Sequence, residues 1–245
     1  MNWPGRRIIL SSSILITGYR FLQSLDEIDR LASVRRSVRA FKPDPVPQDI
    51  IKRVLDITLA TPSNCNVQPW HIHIVSGDAL QRLSKAMLEQ ARAGLTPDHD
   101  IPEAGPYPGR FRERQIDAAK RLFAATGVAR EDIAARTASI LRNYVFFDAP
   151  HLALFCVPDW AGERELADCG QAMQSLMFAL TAAGLGSCPQ GAAGGYAATT
   201  HRILGIPADQ RILAGISFGY ADPDHPSAGV KPPRASVEEM VDFHE

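Results

Sequence analysis

A dense group of cations and hydroxyls lies near the start of the chain, and its residue types suit an anion. Its members are Ser33, Arg35, Arg36, Ser37 and Arg39. Guanidinium forks and hydroxyls bind phosphate oxygens well. In an extended segment, alternation would place Arg35, Ser37 and Arg39 on one face. The alternative is a solvated basic patch that pairs with nearby acids such as Asp26 and Asp44. Taken alone, the segment favours that alternative.

A second polar group, at residues 62–70, reads Pro-Ser-Asn-Cys-Asn-Val-Gln-Pro-Trp. Its amide side chains both donate and accept hydrogen bonds, which suits the edge of a flat heteroaromatic ring. Together with the arginines it indicates a nucleotide-like cofactor held at both ends. Two later groups of residues each allow two interpretations. Residues 186–191 either let a backbone approach a ligand closely or simply end a helix, and Lys231 and Arg234 add cations to a site or to a solvated tail.

The composition excludes several classes of protein. The chain has 245 residues, 45% of them hydrophobic, and a formal net charge of -1. It can bury a substantial core, as one large domain or two small ones, and it lacks the basic excess of a general nucleic-acid binder. Its four cysteines show no CxxC pair and no zinc-like spacing, which favours a reducing cytoplasm. His71 and His73 lack partners at a metal-ligand spacing, so no metal site is predicted.

Familiar catalytic patterns are missing as well. No GxGxxG or GxxxxGK[ST] is present, which disfavours a doubly wound dinucleotide fold and a P-loop enzyme. Cys65 with a nearby histidine is a weak candidate for a nucleophile. Arg6 and Arg7 precede a short apolar run at 8–16 that resembles a signal peptide. The run is too short to span a bilayer, so we predict a surface-docked or poorly ordered extension and no membrane partner.

The elements that must position these groups follow from apolar periodicity. It predicts helices at 25–32, 48–61, 79–92, 111–126, 130–144, 167–183 and 198–204, and strands at 71–75, 151–157 and 211–220. The strand at 151–157 is apolar on both faces, as a central strand is. The helix at 167–183 is apolar nearly all round and should be buried. The class is α+β or mixed α/β, mostly helical.

Three segments, in this order, resemble the FMN-dependent nitroreductase family: Arg-Arg-Ser-Val-Arg-Ala-Phe at 35–41, the polar group at 62–70, and Gly-Leu-Gly-Ser-Cys-Pro-Gln-Gly at 184–191. The resemblance covers residues 30–240, and residues 143–150 are similar to its nitrobenzoate reductase branch. It implies an α+β fold with a central mixed or antiparallel sheet surrounded by helices, in an intertwined homodimer. The implied domains are an N-terminal extension at 1–30 and one FMN-binding domain at 31–245, with a helical insertion at 93–145.

The resemblance also implies a role for each matched position. Arg35, with Arg36 and Ser37 beside it, is similar to the family's contact with the FMN phosphate, which Lys231 and Arg234 would close. Arg39 is similar to the cation at the pyrimidine edge, where it would stabilise the reduced flavin.

The other matched positions would meet the ring from two sides. The contacts reached from the second subunit would be Pro62, Ser63, Asn64 and Asn66. Gln68 would face the ring or hold this turn. Pro189, Gln190 and Gly191 would lie near flavin N5 and offer it a backbone N–H. Cys65 and Val67 depart from the small polar residues expected here, without removing a main hydrogen-bonding group.

The activity implied is that of an oxidoreductase. A hydride would pass from NADPH or NADH to flavin N5 and then to a nitroaromatic or quinone-type acceptor, in ping-pong order and without a side-chain nucleophile. Alternatives on the same fold are a flavin reductase, a reductive dehalogenase-like enzyme or a non-catalytic flavin-binding protein. Tyr107, Phe111 and Phe146 are candidate liners of the acceptor pocket, and each has an equally good interpretation as a core residue.

Overall fold

A computed structural model describes residues 18–245 of the chain. The basic residues at 6–7 and the apolar run at 8–16 lie outside the described residues. The helices within them are α1 (Gly18–Val34), α2 (Gln48–Thr58), α3 (Gly77–Arg92), α4 (Gly109–Ala125), α5 (Ile133–Leu141), α6 (Glu163–Ala182), α7 (Ala197–Leu204) and α8 (Val237–Met240). The strands are β1 (His71–Ser76), β2 (His151–Pro158), β3 (Gly186–Gln190) and β4 (Gln210–Gly219). Helix α1 belongs to one compact unit, and Arg35–Glu245 forms another.

The four strands form one antiparallel sheet in the order β1-β2-β4-β3. Strand β2 lies inside the sheet, and every residue from 151 to 157 is buried. A strand with two covered faces must be apolar on both, which is why its sequence does not alternate. The expected α+β class with a central antiparallel sheet is therefore confirmed.

Each face of the sheet carries its own core. Leu152 and Leu154 of β2 pack with Leu83 and Met87 of α3 on one face. Ala153, Phe155 and Val157 point to the other face, where they meet Leu176 and Leu180 of α6. Helix α6 also packs against α2, β3 and β4, as its nearly continuous apolar surface predicts. Both faces are thus held by helices, which leaves the edges and ends of the sheet to build a site.

Two sequence predictions need correction in detail. Helix α2 ends at Thr58, not at 61, because Pro62 disfavours helical backbone at Thr61. For residues 186–191 the helix-ending turn was one of two interpretations, and Gly186–Gln190 instead forms strand β3. Its small residues and proline have low strand propensity, and pairing with β4 decides the outcome. Residues 93–108 contain no helix or strand, and helices α4 and α5 follow them.

None of the helices within residues 18–245 combines the length and apolar character that crossing a bilayer requires.

Candidate cofactor-binding site

The arginine segment, residues 35–41, extends the sheet beyond β3. Ser37 forms a parallel bridge with Ser187, and the Val38 N–H donates to the Ser187 carbonyl at 2.9 Å. Further along, the Lys42 N–H donates to the Tyr220 carbonyl at 2.8 Å. Glycine at 186 permits this approach, since a Cβ there would lie 2.8 Å from Val38 Cγ2. The segment thus acts as an additional edge strand.

The extended backbone brings the predicted anion ligands to one place. Arg35, Ser37 and Arg39 all act on the same thiol, that of Cys188 in β3. Burial raises the pKa of Cys188 to about 11, even though the two guanidiniums and a hydrogen bond from Ser37 pull it the other way. The thiol therefore stays neutral at physiological pH and does not compensate the cations beside it.

The cation cluster, which consists of Arg35, Arg36, Arg39 and Arg234, has no acidic partner within residues 35–245. Burial lowers the pKa of Arg35, and the nearby charge of Arg234 lowers it further. Within residues 35–245, no carboxylate forms an ion pair with Arg35, Arg36, Arg39 or Arg234. Asp44, one of the acids named in the basic-patch interpretation, therefore forms no ion pair with these arginines. A partly desolvated guanidinium with a second cation nearby favours an anion as its partner, and a phosphate meets that need.

A buried hydroxyl adds to the unmet polar groups. Ser187 is 2% exposed, and its Oγ has no hydrogen-bond partner within the described residues. Buried polar atoms are nearly always paired, so an unpaired one in a native fold needs an explanation. Its main chain bridges Ser37, so this hydroxyl belongs to the same corner of the molecule. The residues present fit a phosphate-bearing group.

The end of β3 is held rigidly by the side chain of Gln190. That side chain is buried, accepts a hydrogen bond from Ser217 Oγ and donates from Nε2 to the Asn143 carbonyl at 3.0 Å. It is therefore committed to the interior. Pro189 and Gly191 on either side are exposed. The Gln190 side chain is thus not available to a ligand, and the exposed positions beside it leave the main chain at 189 and 191 for the expected backbone contact.

The turn at 62–68 is held by its own polar groups and by Asp168 of α6. The Asn64 N–H donates to Asp168 Oδ2 of α6 at 3.0 Å, and the Gln68 N–H donates to Ser63 Oγ at 2.8 Å. The Gln68 amide donates to the Asn66 main-chain and side-chain oxygens at 3.2 Å. Of the two roles expected for Gln68, the structure provides the one that holds the turn.

Backbone strain marks the same turn. Cys65, Asn66 and Gln68 have φ of 50°, 58° and 49°. Left-handed backbone is costly outside glycine and clusters where a site dictates the shape of the chain. Pro62, Asn64 and Asn66 are exposed and Ser63 is half-buried, so the turn is open to a ligand.

The two predicted halves of the site do not meet within one protomer. The turn at 62–68 leads into β1, while the arginine segment lies beyond β3, with β2, β4 and β3 between them. Four strand spacings separate them laterally by roughly 19 Å. They also lie toward opposite ends of the strands, because His71 aligns with Cys156 whereas Ser187 aligns, through Phe218, with His151.

The sequence did not reveal the importance of Arg142 and Asn143. Arg142 Nη2 donates to the Arg39 carbonyl at 3.1 Å and pairs with Asp148 Oδ2 at 3.1 Å. Asn143 receives the hydrogen bond from Gln190. The residues lie inside the 143–150 motif or next to it, but tertiary contacts alone connect them to the site.

The candidate acceptor liners separate into two groups. Phe146 is fully buried in the core that contains Leu152 and Leu154, which favours its interpretation as a core residue. Tyr107 and Phe111 are exposed, and they line a groove of about 950 Å³ together with Arg234 and residues 232–233 of the C-terminal segment. The groove therefore opens beside the cation cluster.

The loop at 93–108 is tied down by a histidine. His201 donates from Nε2 to Asp100 Oδ2 at 2.8 Å and from Nδ1 to the Ile206 carbonyl at 3.1 Å. Burial lowers the pKa of His201, but the hydrogen bonds to Asp100 and Ile206 outweigh it and the pKa is raised overall. Asp100 also accepts from the Ile212 N–H at 2.8 Å. The loop is thus anchored to α7 and β4 through an imidazolium that is stabilised by a carboxylate.

The other histidines of the sheet have structural partners. His73 Nε2 meets Gln210 Oε1 at 3.0 Å. His151 is buried, accepts from the Val46 N–H at 2.9 Å and contacts Ser76 Oγ at 2.6 Å. Burial lowers the pKa of His151, so it is neutral at pH 7. Across residues 18–245, no three His, Cys, Asp or Glu side chains come together as metal ligands would.

The fold and the cation cluster define a class: an α+β protein in which an extended cationic segment joins the edge of an antiparallel sheet. The chain belongs to the Nitroreductase family, whose sequence model matches residues 32–220.

Individual relatives agree with this assignment. NfnB from Mycolicibacterium smegmatis is 39% identical over 216 residues, which cover 88% of this chain and 92% of the relative. A 4-nitrobenzoate reductase from Pseudomonas putida is 30% identical and covers 89% of this chain and 96% of its own length. The crystal structure of the FMN-dependent nitroreductase NfnB from Mycobacterium smegmatis in complex with NADPH has a TM-score of 0.86 at 37% identity, covering 91% of this chain and 100% of the other.

Proposed function

We propose that this protein is an FMN-dependent oxidoreductase that uses NADPH or NADH to reduce nitroaromatic or quinone-type acceptors. The observation that carries the proposal is that the partly desolvated Arg35 and the nearby Arg234 have no carboxylate partner within residues 35–245. The relatives support it: NfnB is described as FMN-dependent and complexed with NADPH, and another relative is a 4-nitrobenzoate reductase.

Each part of the cluster would have a distinct task. Arg35, Arg36 and Ser37 would hold the FMN phosphate, with Lys231 and Arg234 closing that end. Arg39 would lie at the pyrimidine edge, where its charge favours the reduced cofactor. The main chain of 189–191 would face the ring. When bound, FMN supplies hydride transfer between the nicotinamide and the acceptor, while the protein supplies orientation and charge.

A second copy of the chain would complete the site. Because the turn at 62–68 lies across the sheet from the arginines, Pro62, Ser63, Asn64 and Asn66 would reach the cofactor from the partner subunit. We therefore propose an intertwined homodimer with FMN at its interface. Residues 31–245 would form the FMN-binding domain and residues 1–30 an extension, in a cytoplasmic protein.

The absorption spectrum of the purified protein tests this proposal. We expect bound flavin that bleaches when NADPH or NADH is added without oxygen, and recovers on addition of a nitroaromatic. A colourless protein that fails to retain added FMN would overturn the proposal. Bound flavin that neither nicotinamide reduces would overturn the redox activity and favour a binding protein.

Substitution of Arg35 tests the phosphate end separately. A hydrogen bond to a charged group contributes about 1.5–3 kcal/mol, so Arg35→Ala should weaken FMN binding by roughly 10- to 100-fold. Arg136→Ala, which removes an exposed arginine of α5, is the matched control and should leave FMN affinity unchanged. Equal affinities for Arg35→Ala and the unsubstituted protein would reject the phosphate role.

A further inference from the structure

Two consecutive residues after α5 contact both segments assigned to the cofactor. Arg142 reaches the main chain of Arg39, and Asn143 receives the side chain of Gln190. We propose that Arg142 and Asn143 form a clamp that fixes residues 35–39 relative to residues 189–191, and that Arg142 thereby tunes the cofactor through the position of Arg39. The inference rests on the proposed function, because it assigns a positioning role around the same FMN.

The Arg142 half of the clamp acts on main chain. Its Nη2 donates to the Arg39 carbonyl at 3.1 Å and also meets Asp148 Oδ2 at 3.1 Å. The Asp148 side chain is 62% exposed, so this ion pair contributes little by itself. The ion pair holds the guanidinium in the direction from which Nη2 donates to the Arg39 carbonyl. Both contacts come from Nη2, so the position of that one nitrogen decides them. Lysine carries the same charge on a chain one bond shorter, so its ammonium would not reach the same position.

The Asn143 half acts on the other segment. Gln190 Nε2 donates to the Asn143 carbonyl at 3.0 Å, with Asn143 Oδ1 at 3.4 Å, and Gln190 Oε1 accepts from Ser217. Gln190 is 4% exposed, so breaking these bonds would leave buried amide atoms unpaired. The end of β3 is thereby fastened to the same point as the arginine segment.

A strained turn explains how the clamp is built. Phe146, Phe147 and Asp148 have φ of 52°, 56° and 63°. Three successive non-glycine residues in left-handed backbone persist only when their surroundings demand it. The Phe147 N–H returns to the Arg142 carbonyl at 3.1 Å, and the turn carries the Asp148 carboxylate back onto the Arg142 guanidinium. The strain therefore serves to aim Arg142.

The test compares flavin potentials in a double-mutant cycle. Arg142→Lys keeps the charge but ends one bond short of Nη2 and loses the contact with the Arg39 carbonyl, so it should weaken binding of reduced relative to oxidised FMN by about threefold, a shift of about -15 mV at 30 mV per tenfold. In the Arg39→Met background the same substitution should produce no further shift. Arg136→Lys, on α5 and away from the cluster, is the matched control and should leave the potential unchanged.

Two outcomes would overturn the clamp: an unchanged potential in Arg142→Lys, or the same shift with and without Arg39. If the protein binds no FMN, the proposed function is overturned but the clamp is not. A measurement on the ligand-free protein still tests the clamp. In the apoprotein, Arg142→Lys should speed amide hydrogen exchange at Val38 and Lys42 by about tenfold while leaving α3 unchanged. Unaltered exchange at those two amides would also reject the clamp.

Discussion

Replacing Gly186 with alanine should push the arginine segment away from the sheet. The added Cβ would lie 2.8 Å from Val38 Cγ2 and 3.2 Å from both Val38 Cβ and Ala221 Cβ. Carbon atoms pack comfortably at about 3.5–4.0 Å, so the chain must shift by about 0.7 Å. Val38 is β-branched and has little rotamer freedom with which to avoid the new methyl group. The segment must therefore move as a whole.

The expected cost follows from two contributions. Overpacking of this kind costs about 1–3 kcal/mol. A shift of about 0.7 Å would also stretch the bond from Val38 N to Ser187 O from 2.9 Å to about 3.6 Å, beyond hydrogen-bonding distance, at about 1 kcal/mol. The free energy of unfolding should thus fall by about 2–4 kcal/mol. Arg35 and Arg39 move with the segment, so FMN affinity should fall as well.

Urea unfolding of the apoprotein and titration with FMN measure both effects. Gly105→Ala is the matched control, because a Cβ there meets nothing within 4 Å, and its free energy of unfolding should change by less than about 1 kcal/mol. Adding Val38→Ala to Gly186→Ala should remove the closest contact, at Cγ2, and recover part of the lost stability, because the two Cβ contacts at 3.2 Å remain. If Gly186→Ala unfolds at the same urea concentration as the unsubstituted protein and binds FMN equally well, the placement of the segment against β3 is wrong.

Three further predictions concern buried polar groups and thiols. The His201–Asp100 contact raises the pKa of the histidine, so the contact should stabilise the folded protein fully below pH ~6.5 and lose its effect as pH rises through the raised pKa. Asp100→Asn should therefore flatten the pH dependence of urea unfolding. An unflattened profile would contradict this. His151→Leu leaves the Val46 N–H unpaired and should cost about 1–3 kcal/mol in thermal unfolding, whereas a neutral effect would show that the N–H finds another partner. Of the four thiols, a disulfide reagent at pH 8 should label only exposed Cys65 in the native protein, because burial raises the pKa of the others; labelling that survives Cys65→Ser would refute this.

The elements that the sequence predicts well are those whose own pattern decides them. The strand at 151–157 reads as central because every residue is apolar, and α6 reads as buried for the same reason. Strand β3 was missed because its glycine, cysteine and proline carry no strand signal; it exists because β4 pairs with it on one side and the arginine segment lies on the other.

The site divides in the same way. The residue types at 35–39 predict an anion, and an extended backbone is enough to bring Arg35, Ser37 and Arg39 together. The side-chain role of Gln190 and the contacts of Arg142 could not be predicted, since both depend on partners about 47 and 103 positions away along the chain. The left-handed turn that begins at Phe146 contains no glycine, so the sequence gives no signal for it. Tertiary contacts impose its conformation.

The position of the polar turn across the sheet from the arginines has a consequence for mixed populations of this protein. If each cofactor is shared between subunits, Arg35→Ala disables one face of a site and Asn66→Ala disables the other. Each variant alone would have two damaged sites, but a hybrid of the two would gather both defects in one site and leave the other intact. Co-refolding two poorly binding proteins should therefore restore about a quarter of the sites. A self-contained protomer would show no such rescue.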